Sequence, residues 1–558
     1  MGSSQQPVTG TADHLPTAGI GLLARGLLAL ALLVGFYLLA LGIVGGLLTV
    51  DVLLAVDSAH PFGLGGLKVY ALSAVLAYPV LRTVFLTRRG SDTEPPQGWP
   101  VSPAEQPTLW ARVRQLAQES GTRAPDEVRL VAEANAQVCE DGRLLGLLPG
   151  RRRMELGVPL LIGLTAAELD AVIAHELGHF GNRDTRLGGL THAGRRALVH
   201  TVGALGERAA RNKAAKAAEL AALAAERRAK GKRVRTPEAS GGVDQVLARI
   251  FTAYARLYFT VSSAVSRRQE LAADLAAVKL AGRDATASAL RRLPVLDSVL
   301  DYYLGRYAMI GWEAGLLPLP GQVYGGLAHL LAEPARREEL ARLELEVPEA
   351  EQGPYDSHPS LAARIATIEA LPPDGRPMDR SGPALGLLAF PEETIARVEA
   401  VTLRPDSAAM SRLDWPELAR LTGRARHAAG AGALRQAVGL DLPAAALLAE
   451  LTTGPIWEIA DRLPKSPQAG AATGRVAREF ARPVLRTALS DLVLIALADA
   501  GLAGWDVSWA QPMRLRMPDA LAQGLPAAVD ALVTDTPDGQ PLRALLADAG
   551  LNLPLAPR

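Results

Sequence analysis

The sequence predicts a mainly α protein with a small β-sheet: an N-terminal pair of apolar helices, a central mixed domain and a helical C-terminal domain. Three observations carry this reading. Alanine and leucine dominate a chain whose aromatic content is only 4%, which favours helix over sheet. Residues Gly26 to Val50 form a run without a charge. Two short stretches with β-branched alternation, and no more, interrupt the helical periodicities of the middle third. The 558 residues allow two or three domains, and the balance of 59 basic against 58 acidic side chains argues against a nucleic-acid partner. A single cysteine, Cys139, excludes an intrachain disulfide framework and fits a reducing compartment.

Residues 1–19 are polar and aperiodic and read as a disordered tail. Residues 20–89 read as a membrane anchor of two transmembrane helices. The run from Gly26 to Val50 is long enough to cross a hydrocarbon core and too long for a signal peptide, and a second apolar stretch runs from Leu67 to Leu86. Lys68 and Arg82 lie near the ends of the second stretch, where they can snorkel. The loop between the two holds Asp51 and Asp57 but no basic residue, whereas Arg82, Arg88 and Arg89 cluster beyond the second span. The positive-inside rule then puts both termini, and everything after residue 90, in the cytoplasm of a cell-membrane, multi-pass protein.

Residues 90–107, rich in Pro, Gly, Ser and acids, read as a linker, and the folded domain is expected over 108–372. It opens with a helix, TLWARVRQLAQES, followed by a strand over EVRLVAEANAQV and a second over RRMELGVPLL. Thr165 and Glu168 then form a capping box for the helix LTAAELDAVIAHELGHF. Residues 207–242 form a basic helical excursion, with ten Lys or Arg against three Asp or Glu from Glu207 to Arg235. It is either a solvated helix or a face for the anionic cytoplasmic leaflet. A long helix starts after Gly242, and residues 373–558 read as a helical domain of unassigned role in which His427 has no metal function.

The chemistry concentrates in His175-Glu176-Leu177-Gly178-His179. Two histidines four apart on a helix share a face and can close on one metal, while Glu176 is aimed to take a proton from an attacking water. The bland alternative is a helix with two surface histidines. A third ligand must come from elsewhere, and Glu270 on the long helix is one solution. Asp274, one turn on, can accept the free ring N–H of a ligating histidine, although an E-x-x-x-D pair also suits a solvated acidic face.

These segments, with Asn135-Ala136, the run AAELDAVIAHELGHFGNRD, SRRQELAAD and Ser357-His358-Pro359-Ser360 followed by Arg364, resemble the HtpX and CAAX-prenyl-protease type of membrane-associated zinc metalloendopeptidases. The resemblance covers roughly residues 20–370. It implies a zincin-like metallopeptidase domain of the gluzincin type that hydrolyses peptide bonds of membrane or misfolded proteins. One zinc per chain would be held by His175, His179 and Glu270, with Glu176 as general base. It also implies that His358 and Arg364 lie near the substrate, His358 as an oxyanion donor, although a surface His-Pro turn is the plain alternative. Strand residues Asn135 and Ala136 would pair with an extended substrate. Arg195 and Arg196 interrupt the segment where the HtpX branch has further spans, which favours a cytoplasmic peptidase on a two-helix anchor. Two other classes compete: an interaction scaffold with a structural zinc, and a C-terminal binding module that the peptidase half regulates.

Overall fold

The structure, a computed structural model, describes residues 19–57, 62–82, 97–140, 150–181, 185–230, 242–346, 359–376, 382–464, 472–511 and 513–554. The tail before residue 19, Arg88 and Arg89, Asn182 to Asp184, residues 231–241 and His358 lie outside these. The described residues are mostly helical, at 72%, with small sheets, as the composition predicts.

Helix α1 (Gly19–Asp57) and helix α2 (Leu64–Leu81) form where the anchor is expected. One described helix, not two, is long and apolar enough to cross a membrane: Leu27–Asp57 of α1. The two-helix expectation is corrected here: α2 is 18 residues long, and its apolar stretch among the described residues, Leu64–Val75, is shorter than the ~20 residues a span needs. The two helices lie together, and the Ser73 hydroxyl donates to Asp51 at 2.8 Å.

The basic stretch is part of one continuous helix, α6 (Thr185–Ala229), and α7 (Gly242–Ala281) returns beside it. Arg208 pairs with Asp244 at 3.2 Å and the Arg195 guanidinium lies over the Phe259 ring, so the two helices run antiparallel. Together they cover one face of α1, where Phe36, Ala40 and Val44 are buried against Leu198, Leu205, Phe251 and Tyr258. The Tyr254 hydroxyl donates to the Leu32 carbonyl at 2.6 Å. The outer face of α1, with Leu38, Leu48 and Val56, is exposed.

The central domain holds a four-stranded sheet in the order β1-β2-β4-β3. Strand β1 (Trp99–Val101) lies inside the stretch that composition marks as linker; Pro100 is tolerated because β1 is an edge strand. The single strand expected over 127–138 is two, β2 (Glu127–Val131) and β3 (Ala136–Glu140), separated by a turn. The segment 152–161 is also divided: β4 (Arg152–Gly157) gives way to the short helix α4 (Val158–Gly163), with Pro159 in its first turn. Strands β2 and β4 are parallel, β3 and β4 antiparallel. Helix α3 (Pro107–Glu119) packs Leu109, Trp110, Val113 and Leu116 into the core under the sheet.

Helix α5 (Ala166–Gly181) starts with the expected capping box, in which the Thr165 amide donates to Glu168 at 2.8 Å and the Glu168 amide to the Thr165 hydroxyl at 3.3 Å. Glu168 is buried and also receives Ser288 and Arg292 of α8 (Arg283–Tyr303), which fixes the start of α5 on that helix. Thr165→Ala should therefore destabilise the chain by about 1 kcal/mol in denaturant unfolding; no change would mean that Glu168 alone caps the helix.

The first core does not end at the Pro/Gly break near residue 373, because Ala384, Leu388, Ile395 and Val398 belong to it. Strand β5 (Leu316–Pro318) pairs in parallel with β6 (Ser411–Leu413). A second core joins the helices Trp415–Val438 and Gly474–Asp499, where Leu434, Leu489 and Leu492 are fully buried. The apolar segment around Asp491 and Asp499 is a packed core helix, and His427 sits 2.7 Å from Asp491, stacked on Trp505.

Candidate metal centre

Two helices build the site. Gly178 in the middle of the His-Glu pair's helix lets α5 approach α7 closely: a Cβ there would stand 3.1 Å from both the Ala273 Cα and the Ala276 Cβ. That crossing sets Glu270 opposite the histidines.

His175, Glu176 and His179 offer ligand atoms within 4.8 Å of one another, and the two imidazole rings stand edge to face at 85°. Nε2 of His175 lies 3.6 Å from one oxygen of Glu270, and Nε2 of His179 lies 3.7 Å from the other. Donors around a tetrahedral zinc with ligand bonds near 2.1 Å are separated by about 3.4 Å, so these three side chains need to close by only a few tenths of an ångström. Of the two glutamates, Glu270 is the better ligand because it faces both Nε2 atoms. Glu176 is instead held by the Val138 amide of β3, which donates to its carboxylate.

The electrostatics also call for a cation. Burial penalises a charged His175, yet hydrogen bonds to Asp274 and Glu270 outweigh it and raise its pKa to about 9. Burial raises the Glu176 carboxyl above its usual range, with the neighbouring His175 charge partly offsetting this. Three buried or half-buried acids around two imidazoles fit a divalent ion, and two imidazoles with one carboxylate are a donor set that suits zinc.

Beneath the histidines, Nδ1 of His175 is 3.0 Å from Asp274, whose side chain is 1% exposed. Arg364, on the helix Leu361–Glu369, grips the same carboxylate with two donors: Nε to Oδ2 at 2.8 Å and Nη2 to Oδ1 at 2.6 Å. Asp274 is buried, which works against its charge, but Arg364 and His175 hold its pKa below the usual carboxylate value. Sequence reasoning places Arg364 near substrate; what it misses is this clamp, because nothing in local spacing links position 364 to position 274.

Asn135 closes the turn before β3. Its side chain accepts from the Ala136 amide at 2.9 Å and its carbonyl from the Gly157 amide at 2.8 Å. Ala136 opens β3, which lies at the sheet edge beside α5. Side chains alternate along a strand, so Cys139 faces away from the side that carries Val138 towards the core. His358 lies outside the described residues, while Pro359 and Ser360 lead directly into the helix that carries Arg364.

Comparison with curated proteins and with solved structures returned no match to the chain. Residues 103–371, which hold strands β2 to β4, both metal-site helices and Arg364, match peptidase family M48, the family of HtpX and CAAX-protease zinc metallopeptidases; this part of the chain belongs to that family, which supports a metallopeptidase.

Proposed function

We propose that the protein is a membrane-anchored zinc endopeptidase that cleaves extended segments of membrane or misfolded proteins on the cytoplasmic side. The observation that carries this is the convergence of His175, His179 and Glu270, with a Glu176 oxygen within 4.8 Å of ligand nitrogens of both histidines. A bound zinc would acidify a water and polarise the scissile carbonyl. Glu176 takes the proton of the attacking water and later delivers it to the departing amine, a role that its raised proton affinity favours. The outer edge of β3 receives the substrate as an added strand, so that backbone more than side-chain identity is read. His358 supplies the oxyanion donor.

Membrane association rests on the apolar length of α1, which at 1.5 Å per residue spans roughly 46 Å against a hydrocarbon core of ~30 Å. We assign α1 as the membrane span and place the domain after the basic cluster at Arg82, Arg88 and Arg89 on the cytoplasmic side. A structural zinc site would have no use for Glu176 beside an open position, which favours catalysis over a scaffold.

The test uses the full chain in detergent. It should hold about one zinc, cleave unfolded casein, lose cleavage on chelation and regain it on zinc return. Cleavage that survives complete metal removal would refute the reading, as would a zinc-loaded chain that leaves casein intact.

A further inference from the structure

The resemblance puts Arg364 on the substrate, but its geometry points inward. We infer that Arg364 is a positioning residue of the metal site: it clamps Asp274, and Asp274 in turn holds His175 with its Nε2 lone pair aimed at the metal.

An arginine can only donate, so the Arg364 Nη2 that stands 3.5 Å from His175 Nδ1 competes with the ring proton and does not replace it. With Asp274 at 3.0 Å from the same Nδ1, the proton sits on Nδ1 and points at the carboxylate. That tautomer leaves Nε2 as the bare donor, on the side facing Glu270. Asp274 itself has to be fixed in rotation for this to hold, and a two-point grip by a planar guanidinium does so where a single contact would not. Nη1 of Arg364 lies 3.7 Å from Glu270, so one side chain braces both Glu270 and Asp274 of α7. The arginine is 13% exposed and its fork is taken up by Asp274, which leaves it poorly placed to meet a peptide. Its helix is seated by Ile365 and Ile368 in a small core with Ala287 and Leu290 of α8, and its N-terminus is capped by Ser360, which accepts from the Ala363 amide.

This rests on the proposed metal site, and the experiment separates the two. Zinc stoichiometry of the wild type and of His175→Ala tests the site itself: about one equivalent, lost in the variant. Arg364→Lys and Arg364→Ala are then compared with the wild type by chelator competition, by the visible spectrum of the cobalt-loaded chain, and by peptide kinetics at saturating zinc. Lysine keeps the charge but not the fork. Positioning predicts that both variants weaken zinc binding about 10- to 100-fold, change the cobalt spectrum, and lower kcat with KM little altered. A lysine variant that binds zinc like the wild type, or an alanine variant that binds it more tightly, would show that only charge matters and overturn the inference. So would unchanged zinc affinity with a raised KM, the signature of a substrate contact. Unfolding of the metal-free variants checks that a weakened site is not simply a chain that fails to fold.

Discussion

Glu176→Gln should lower kcat/KM for peptide cleavage by a factor on the order of 10²–10⁴, about 3–5 kcal/mol of barrier, while zinc content stays at the wild-type level. Glutamine is close in size to glutamate and its carbonyl can still accept from the Val138 amide, so the side chain keeps its place. It cannot accept the proton of an attacking water, and that is the one capacity removed. The ligands are untouched, because Glu270 and not Glu176 faces both imidazole Nε2 atoms. Loss of zinc in this variant would move Glu176 into the coordination shell. Retained zinc with undiminished cleavage would remove it from the mechanism.

The parts of this site that depend on short-range spacing are readable in the sequence. His175 and His179 share a helical face because they are four apart, Thr165 and Glu168 announce the start of α5, and Glu270 and Asp274 are one turn apart on α7. What spacing does not carry is rotation and contact over distance. The run Arg152–Leu161 is apolar enough for strand or helix, and the helix that replaces its second half begins where Pro159 can occupy a first turn. Asn135 marks a turn once Gly157 is seen to leave room for it: a Cβ on Gly157 would meet the Glu133 carbonyl at 2.1 Å. The long helices α6 and α7 are visible as periodicity, yet only packing reveals that they flank α1. Their burial of Phe36 ties the anchor to the helix that bears Glu270, about 18 Å along α7 from Tyr258.

The same distinction governs the C-terminal domain, which meets the peptidase domain at one side chain that no motif marks. Trp509, in the loop between β7 (Gly504–Asp506) and β8 (Arg514–Arg516), stacks on Tyr307 at 5.2 Å and on His329 at 5.1 Å and meets Trp415 edge to face. Its loop is gripped as well: the Tyr307 hydroxyl donates to the Ser508 carbonyl at 3.0 Å, and Arg336 Nε to the Trp509 carbonyl at 3.3 Å. Tyr307 follows α8, the helix that braces both α5 through Glu168 and the Arg364 helix through Glu369. Trp509→Ala leaves a cavity between the two cores and should destabilise the chain by about 3 kcal/mol, near the low end for an aromatic truncation because the ring is half-buried. Tyr307→Phe, which removes a hydroxyl and keeps the stack, should lose only about 1 kcal/mol. Urea unfolding in detergent followed by far-ultraviolet circular dichroism reads both. If the two cores are coupled through this ring, the alanine variant also splits one transition into two, with the C-terminal helices and the peptidase domain melting apart. An unchanged midpoint and a single transition would mean that β5–β6 and the shared core around Val398 hold the halves together without it.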